Sequence, residues 1–131
     1  MLGDSAVVVH PSDERYKALV GKTVVLPIMN REIPVVADRV IEKEFGTGAV
    51  KVTPAHDMAD WDIGERNKLP IHKIIDERGR MTAEAGKDFE GLKVAEARAK
   101  VIEQLTSLGQ LVKTEPYTHQ LALCDRCGTV V

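Results

Sequence analysis

The 131-residue chain has few aromatic side chains and no long hydrophobic run. Phe, Trp and Tyr together make up 4% of the residues, whereas apolar residues make up 44%. We therefore expect a core of aliphatic side chains, with valine prominent among them. No apolar run approaches the roughly 20 residues that a membrane-spanning helix needs, so we expect no membrane partner.

The chain also lacks an excess of positive charge. Its 18 basic and 20 acidic residues leave a net charge of −2, whereas a general nucleic-acid-binding surface is normally basic. Any contact with a nucleic acid should therefore be local, or supplied by other parts of a larger protein. The length suits one domain with a real core. The two cysteines, Cys124 and Cys127, form a close pair that suits a reducing cytoplasm.

The residues that carry chemistry are concentrated between positions 46 and 69. Gly46 and Gly48 flank Thr47 in a predicted turn where the backbone can approach a ligand. Residues 49–53 alternate as a half-buried strand does, and Pro54 ends the strand. Lys51 and Thr53 lie two apart and so share one face of that strand.

A helix is predicted to follow, with Asp57 and Asp60 in its first turn. An amine, a hydroxyl and two carboxylates would then converge on a strand-to-helix junction. A purely structural interpretation stays open, in which Asp57 is the N-cap and Asp60 returns a capping-box hydrogen bond. His56 is more typical of a hydrogen-bonded turn histidine than of a catalytic base, because the sequence has no neighbouring Ser or Cys for it to activate.

The remaining pattern predicts an α+β domain of short mixed strands and three helices. The long predicted helix, 93–108, has apolar residues at three- and four-residue spacing, which favours packing on the sheet. Two runs of β-branched residues, one on each side of residues 29–31, predict a hairpin. Residues 38–45 should be a surface connection, although Val40 and Ile41 could add a short strand. The predicted strands are 6–10, 23–27, 32–37, 49–53, 71–75, 111–113 and 120–123, and the other predicted helices are 13–20 and 58–68.

Cys124 and Cys127 have the spacing of half a zinc knuckle. A structural zinc ion needs four ligands, and His119 at its spacing is an unfamiliar third. We therefore expect no metal to be bound by this chain alone, and treat the pair as a half-site only.

The motif GTGAVKVTPAHD, followed by DWDIGERNKLP, resembles the editing domain of valyl-tRNA synthetases, an insertion in class I aminoacyl-tRNA synthetases. The opening 38 residues and the closing HQLALCDRCGTVV also resemble parts of that domain, so the similarity runs over nearly the whole chain. Isoleucyl and leucyl relatives share the Gly-Thr-Gly turn. The resemblance implies a β-barrel-like mixed sheet flanked by about three helices.

The resemblance also implies an activity. The parent enzyme would attach valine to tRNA(Val) with ATP. Any zinc ion would be bound by the parent enzyme and not by this domain. Threonine is nearly isosteric with valine, and a hydrophobic pocket rejects such an isostere by only about a hundredfold. A second site would therefore hydrolyse the threonyl ester by a bound water, and this domain would need no cofactor.

Residue roles follow from the same resemblance. Asp60 would pair with the α-ammonium of the aminoacyl group. Lys51, Thr53 and Asp57 would line the amino-acid pocket and test for the threonine hydroxyl. Gly46, Thr47, Gly48 and His56 would belong to the substrate-binding surface near the terminal adenosine or the ester.

In this family a Thr-rich segment close to Thr-Thr-Arg-Pro-Glu-Thr precedes the point that matches Met1. We therefore expect residues 1–131 to be a single editing domain from inside a longer synthetase. Residues 117–131 would lead back to the synthetic core, and the missing threonines would form the other wall of the pocket.

Two other hypotheses remain open. The domain could bind tRNA or another ligand without catalysis, with the motif serving only to cap its helix. Less favoured is a metal-dependent hydrolase that uses His56, Asp57, Asp60 and His72, since adjacent His56 and Asp57 do not give the usual i, i+4 ligand pair.

Overall fold

The computed structural model describes residues 1–116, 118, 120 and 122–129. Within them, four strands and two α-helices alternate with short 3₁₀ turns. The strands are β1 (Ala6–Val9), β2 (Thr23–Leu26), β3 (Arg31–Ala37) and β4 (Ala49–Val52). The helices are α1 (Met58–Asn67) and α2 (Val94–Ser107), and the 3₁₀ turns are Lys17–Leu19 and Ala83–Ala85. This confirms the mixed α+β class.

The four strands form one mixed sheet in the order β2-β3-β1-β4. β1 is parallel to β3 and antiparallel to β4, with Val7 opposite Lys51. β2 and β3 form the predicted antiparallel hairpin. Among the described residues the sheet is open rather than closed into a barrel, and there are two α-helices instead of about three.

Helix α1 covers the sheet through Ile63. This side chain packs with Ala6, Val8 and Val52, all of them buried. Ile41 joins the same cluster, so the predicted surface connection 38–45 contributes one core residue. The β4–α1 junction is therefore held on a packed, aliphatic base.

Helix α2 packs elsewhere, and the prediction that it lies on the sheet is wrong. Its buried Ala97 and half-buried Val101 contact a second cluster, which is built from the amino-terminal turn and the segment between the two helices. Phe89 is the largest fully buried side chain of that cluster. Its buried members are Leu2, Ile74, Met81, Ala85, Phe89 and Ala97.

Several predicted elements are shorter or missing. Residues 13–20 form only the 3₁₀ turn Lys17–Leu19, and Asp13 accepts hydrogen bonds from the backbone and side chain of Arg15. Residues 71–75 are no strand, since they pair at the single bridge Ile75–Met81. Residues 111–113 have no regular structure. In the predicted strand 120–123, Leu121 lies outside the described residues.

None of the helices in the described residues combines the length and the apolar character needed to cross a membrane.

Candidate functional site

The polar site lies where β4 ends and α1 begins, and both elements are anchored. β4 pairs with the central strand β1 along its full length. At the far end of α1, Arg66 and Asn67 donate hydrogen bonds to the Asp38 carboxylate at 3.1 and 3.2 Å. The side chains at the junction are therefore carried on a fixed frame.

Asp57 is the N-cap of α1, as the structural interpretation predicted. Its Oδ1 accepts the backbone N–H groups of Ala59 and Asp60 at 2.9 and 3.1 Å. These are donors that the first helical turn leaves without a partner. The Asp57 side chain is thus turned towards the helix start.

Asp60 does not return the capping-box bond. Its Oδ2 instead accepts the backbone N–H of Thr53 at 2.8 Å and lies 3.5 Å from Lys51 Nζ. Lys51 Nζ in turn donates to Thr53 Oγ1 at 3.0 Å. Of the amine, hydroxyl and two carboxylates predicted to converge, Lys51, Thr53 and Asp60 are therefore brought together, whereas Asp57 binds the backbone at the helix start. The Asp60 side chain is 12% exposed and that of Lys51 57%, so the amine faces solvent over a nearly buried carboxylate.

Asp4 is a fourth member of this group that the sequence did not indicate. Its Oδ1 accepts the Thr53 hydroxyl at 2.6 Å and lies 3.2 Å from the amino group of Met1. Two contacts hold Asp4 beside Thr53: Ser5 N–H bonds Val52 O, and Arg31 donates to the Leu2 and Asp4 carbonyls. The partners are 49 positions apart, so no spacing pattern links them.

The Gly46-Thr47-Gly48 turn lies at the other end of β4. The four residues of β4 lie between Gly48 and Thr53, and the five steps of extended chain from one to the other span about 16 Å. The turn packs on the segment after β1, where Tyr16 Oη donates to the Thr47 carbonyl at 2.7 Å. The structure thus does not bring the glycine turn into the Lys51–Asp60 group.

Asp13 and Arg15 support this turn. Arg15 donates to both carboxylate oxygens of Asp13 and to the Lys43 carbonyl. The hydrogen bond from Arg15 lowers the pKa of Asp13 against the opposing effect of its burial. This ion pair lies directly against Gly48.

The His56 side chain contacts the segment that follows α1. Its Nε2 accepts the backbone N–H of Ile74 at 3.0 Å. Burial, and secondarily the positive charge of Lys73, lower the pKa of His56. His56 therefore links the residues just before α1 to the segment that follows the helix.

The cysteine pair forms its own small turn. Gly128 N–H bonds the Cys124 carbonyl, and Cys127 Sγ lies 2.8 Å from Thr129 Oγ1. Hydrogen bonds from Thr129, and then from Cys124, lower the pKa of the Cys127 thiol. His119 lies outside the described residues.

Within the described part of the chain, no group of three or more His, Cys, Asp or Glu side chains is placed to hold a metal ion. The set His56, Asp57, Asp60 and His72 is accordingly not assembled as a ligand cluster. His72 instead lies 3.6 Å from the Glu84 carboxylate.

The arrangement supplies one site for a cation and one for a hydroxyl. Within the described residues, the hydrogen bond and the ion pair of the Asp60 carboxylate both fall on Oδ2, so Oδ1 is available there to accept from an ammonium group. Lys51 Nζ and Thr53 Oγ1 offer a donor and an acceptor side by side. Such a group suits recognition of a small, polar, amine-bearing ligand.

Comparison with known proteins identifies the family. The family model described as leucyl-tRNA synthetase, editing domain, matches residues 9–106. The valine–tRNA ligases of Carboxydothermus hydrogenoformans, Thermotoga maritima and Clostridium perfringens are 55%, 54% and 53% identical to all 131 residues. The chain spans 15% of the length of each of these relatives. It therefore belongs to the leucyl-tRNA synthetase editing-domain family, in the branch carried by valine–tRNA ligases.

Proposed function

We propose that this domain hydrolyses the ester of threonine wrongly attached to tRNA(Val). The parent protein would attach valine to tRNA(Val) with ATP in the cytoplasm, and any zinc would belong to other parts of that protein. The acceptor end of the tRNA and the rest of the synthetase are then its partners. The Lys51–Thr53–Asp60 group, in a chain of this family, is the observation that carries the proposal.

Asp60 is assigned to the α-ammonium of the aminoacyl group. Its carboxylate is nearly buried and is held by the Thr53 backbone, so it is oriented before a ligand arrives. A charge-assisted hydrogen bond to such a carboxylate is about twice as strong as a neutral one. Binding the ammonium therefore sets where the ester carbonyl lies.

Lys51 and Thr53 are assigned to the substrate hydroxyl. Their polar atoms are 3.0 Å apart, and a threonine hydroxyl could bond either. A valine methyl in the same place could not donate to Thr53 Oγ1, which is buried. The remaining lone pair of that oxygen would then be unsatisfied, and an unsatisfied buried polar group costs about 1–3 kcal/mol. A site of this kind rejects the analogue that lacks the hydroxyl.

The reaction itself is attack by water. The water oxygen forms a bond to the ester carbonyl carbon, and the bond from that carbon to the ribose oxygen breaks. The ribose oxygen takes up one proton of the attacking water. The products are free threonine and uncharged tRNA. No Ser–His or Cys–His pair stands in the group, so the ligand's position, set by Asp60, is the main contribution of these residues.

The test compares deacylation of threonyl-tRNA(Val) and valyl-tRNA(Val) by the chain, with and without the Thr-rich segment upstream. The proposal is supported if the chain deacylates threonyl-tRNA(Val) selectively and the Asp60→Asn variant does not. Asp62→Asn is the matched control, because Asp62 is an exposed carboxylate on the same helix. No hydrolysis by either folded version would contradict the catalytic role of the domain.

A non-catalytic ligand-binding module is the second candidate. One observation favours it: Asp57 caps α1 and Asp60 binds the Thr53 backbone, so both carboxylates have structural roles. In that case Asp60→Asn and Asp62→Asn would bind aminoacyl-tRNA equally well. Neither these variants nor the unsubstituted chain would release the amino acid.

A further inference from the structure

Asp4 is a buried carboxylate that accepts the Thr53 hydroxyl of the Lys51–Thr53–Asp60 group and also lies near the Met1 amino group. It is 2% exposed, and its 2.6 Å bond from Thr53 Oγ1 is the shortest in the group. A carboxylate is rarely this buried without a role for its charge or its hydrogen bond. The residues that cap and anchor α1 are different ones, Asp57 and Asp38.

The hydrogen-bond directions around Thr53 are determined by proton inventory. A threonine hydroxyl carries one proton and two acceptor lone pairs, an ionised carboxylate only accepts, and a lysine ammonium only donates. Thr53 must therefore give its proton to Asp4 and accept from Lys51 Nζ. Its second lone pair stays free to accept from a ligand.

We propose that Asp4 is a positioning and specificity-determining residue for the hydrolytic site. By holding the Thr53 proton, it fixes the Thr53 side chain as an acceptor beside Lys51. The site then selects a substrate hydroxyl as a donor to Thr53 and has no partner for a methyl group. This inference rests on the proposed function.

A first measurement tests positioning without any substrate. Three-bond couplings to the Thr53 γ-methyl, measured by NMR, report the χ1 rotamer of that side chain. We expect a single rotamer in the parent chain and in Asp4→Asn, whose amide oxygen still accepts the hydroxyl. Asp4→Ala should show averaged couplings. Asp4→Leu, closer to aspartate in volume, replaces Asp4→Ala if the latter does not fold.

Ser5→Ala is the matched control. Ser5 is the adjacent residue, it is fully buried, and its hydroxyl donates to the Pro70 carbonyl instead of to the site. It should lose stability as a buried hydrogen bond does, without averaging of the Thr53 rotamer. Unchanged Thr53 couplings in both Asp4→Ala and Asp4→Leu would overturn the positioning role.

A second measurement tests specificity through the ratio of threonyl-tRNA(Val) to valyl-tRNA(Val) deacylation. Asp4→Ala should lower this ratio about tenfold, as loss of one well-oriented hydrogen bond does, and Asp4→Asn should restore most of it. In a Thr53→Val background the same change should have no further effect, because coupled residues are not additive.

The two measurements separate failure of this inference from failure of the proposed function. A parent chain that hydrolyses neither ester contradicts the proposed function, while the NMR couplings still decide whether Asp4 orients Thr53. A parent chain that edits, with an unchanged ratio in Asp4→Ala or an equal loss in the Thr53→Val background, overturns the inference alone.

Discussion

The carboxylate of Asp60 accepts the backbone N–H of Thr53 at 2.8 Å. This single bond ties the first turn of α1 back to the end of β4, and it turns the carboxylate towards Lys51. A residue that would otherwise close a capping box thereby becomes part of the polar group. Its structural and functional roles can be separated by substitution.

Asp60→Ala should lower the free energy of unfolding by about 1–3 kcal/mol, because the buried Thr53 N–H loses its acceptor. Asp60→Asn should cost less, since an amide oxygen can still accept that bond. Both should lose threonyl-ester hydrolysis, because neither carries the negative charge. Urea denaturation and deacylation assays measure the two effects, and an active Asp60→Asn would argue against the ammonium assignment.

Asp57→Ala should act mainly on stability. Asp57 caps α1 with two hydrogen bonds, and removal of such a cap costs about 0.5–2 kcal/mol. Asp57→Ser, which can cap, should recover most of the loss when unfolding is followed by circular dichroism. A variant with parental stability and no hydrolysis would show instead that Asp57 contacts the substrate.

Gly48→Ala should be more damaging than Gly46→Ala. Both glycines have positive φ, at 75° and 57°, which costs another residue roughly 1–2 kcal/mol. At Gly48 an added Cβ would also lie 2.7 Å from the Lys43 carbonyl and 2.5 Å from an Arg15 nitrogen, whereas at Gly46 it meets nothing within 4 Å. Thermal unfolding of the two variants measures the difference, and equal losses would contradict the close packing at Gly48.

The stability of the chain should depend on the ionisation of His56. Its pKa is lowered from 6.5, chiefly by burial, so the unfolded chain binds this proton more readily than the folded one. Stability should therefore fall as the pH drops below about 6.5 towards the folded-state pKa of His56. The main physical reason is the cost of burying the charged ring. A protonated Nε2 would in addition no longer accept the Ile74 N–H.

An NMR titration of the His56 ring checks this expectation, and the Ile74 amide should shift with the same midpoint. His56→Gln, which cannot titrate, should remove this part of the pH dependence from urea-denaturation midpoints. A His56 midpoint at or above 6.5 would contradict the expected direction.

The junction from residue 49 to residue 67 could be predicted because its signals are local. Alternation placed Lys51 and Thr53 on one side, Pro54 ended the strand, and Asp57 marked the start of the helix. The observed bond between Lys51 and Thr53 confirms their common side. The roles assigned to these residues in hydrolysis stay predictions.

The helix 94–107 shows the limit of such reasoning. Its periodicity correctly predicted an apolar face. An apolar face alone, however, does not indicate which part of the protein it packs against. The cluster around Phe89, formed by irregular segments with no periodic pattern, took the place expected for the sheet. Weak local signals likewise produced the strands expected at 71–75 and 111–113. Among the residues that the structure describes, neither segment has a neighbouring strand to pair with along its length.

The sequence by itself determined the family, the mixed α+β class and the β4–α1 junction, because each depends on motifs or periods a few residues long. Only the tertiary structure decided that Asp4 meets Thr53 across 49 positions, and that Asp60 binds backbone instead of closing a capping box. Such contacts depend on how distant segments pack, and a hydrogen bond between them leaves no spacing in the chain that could be read in advance.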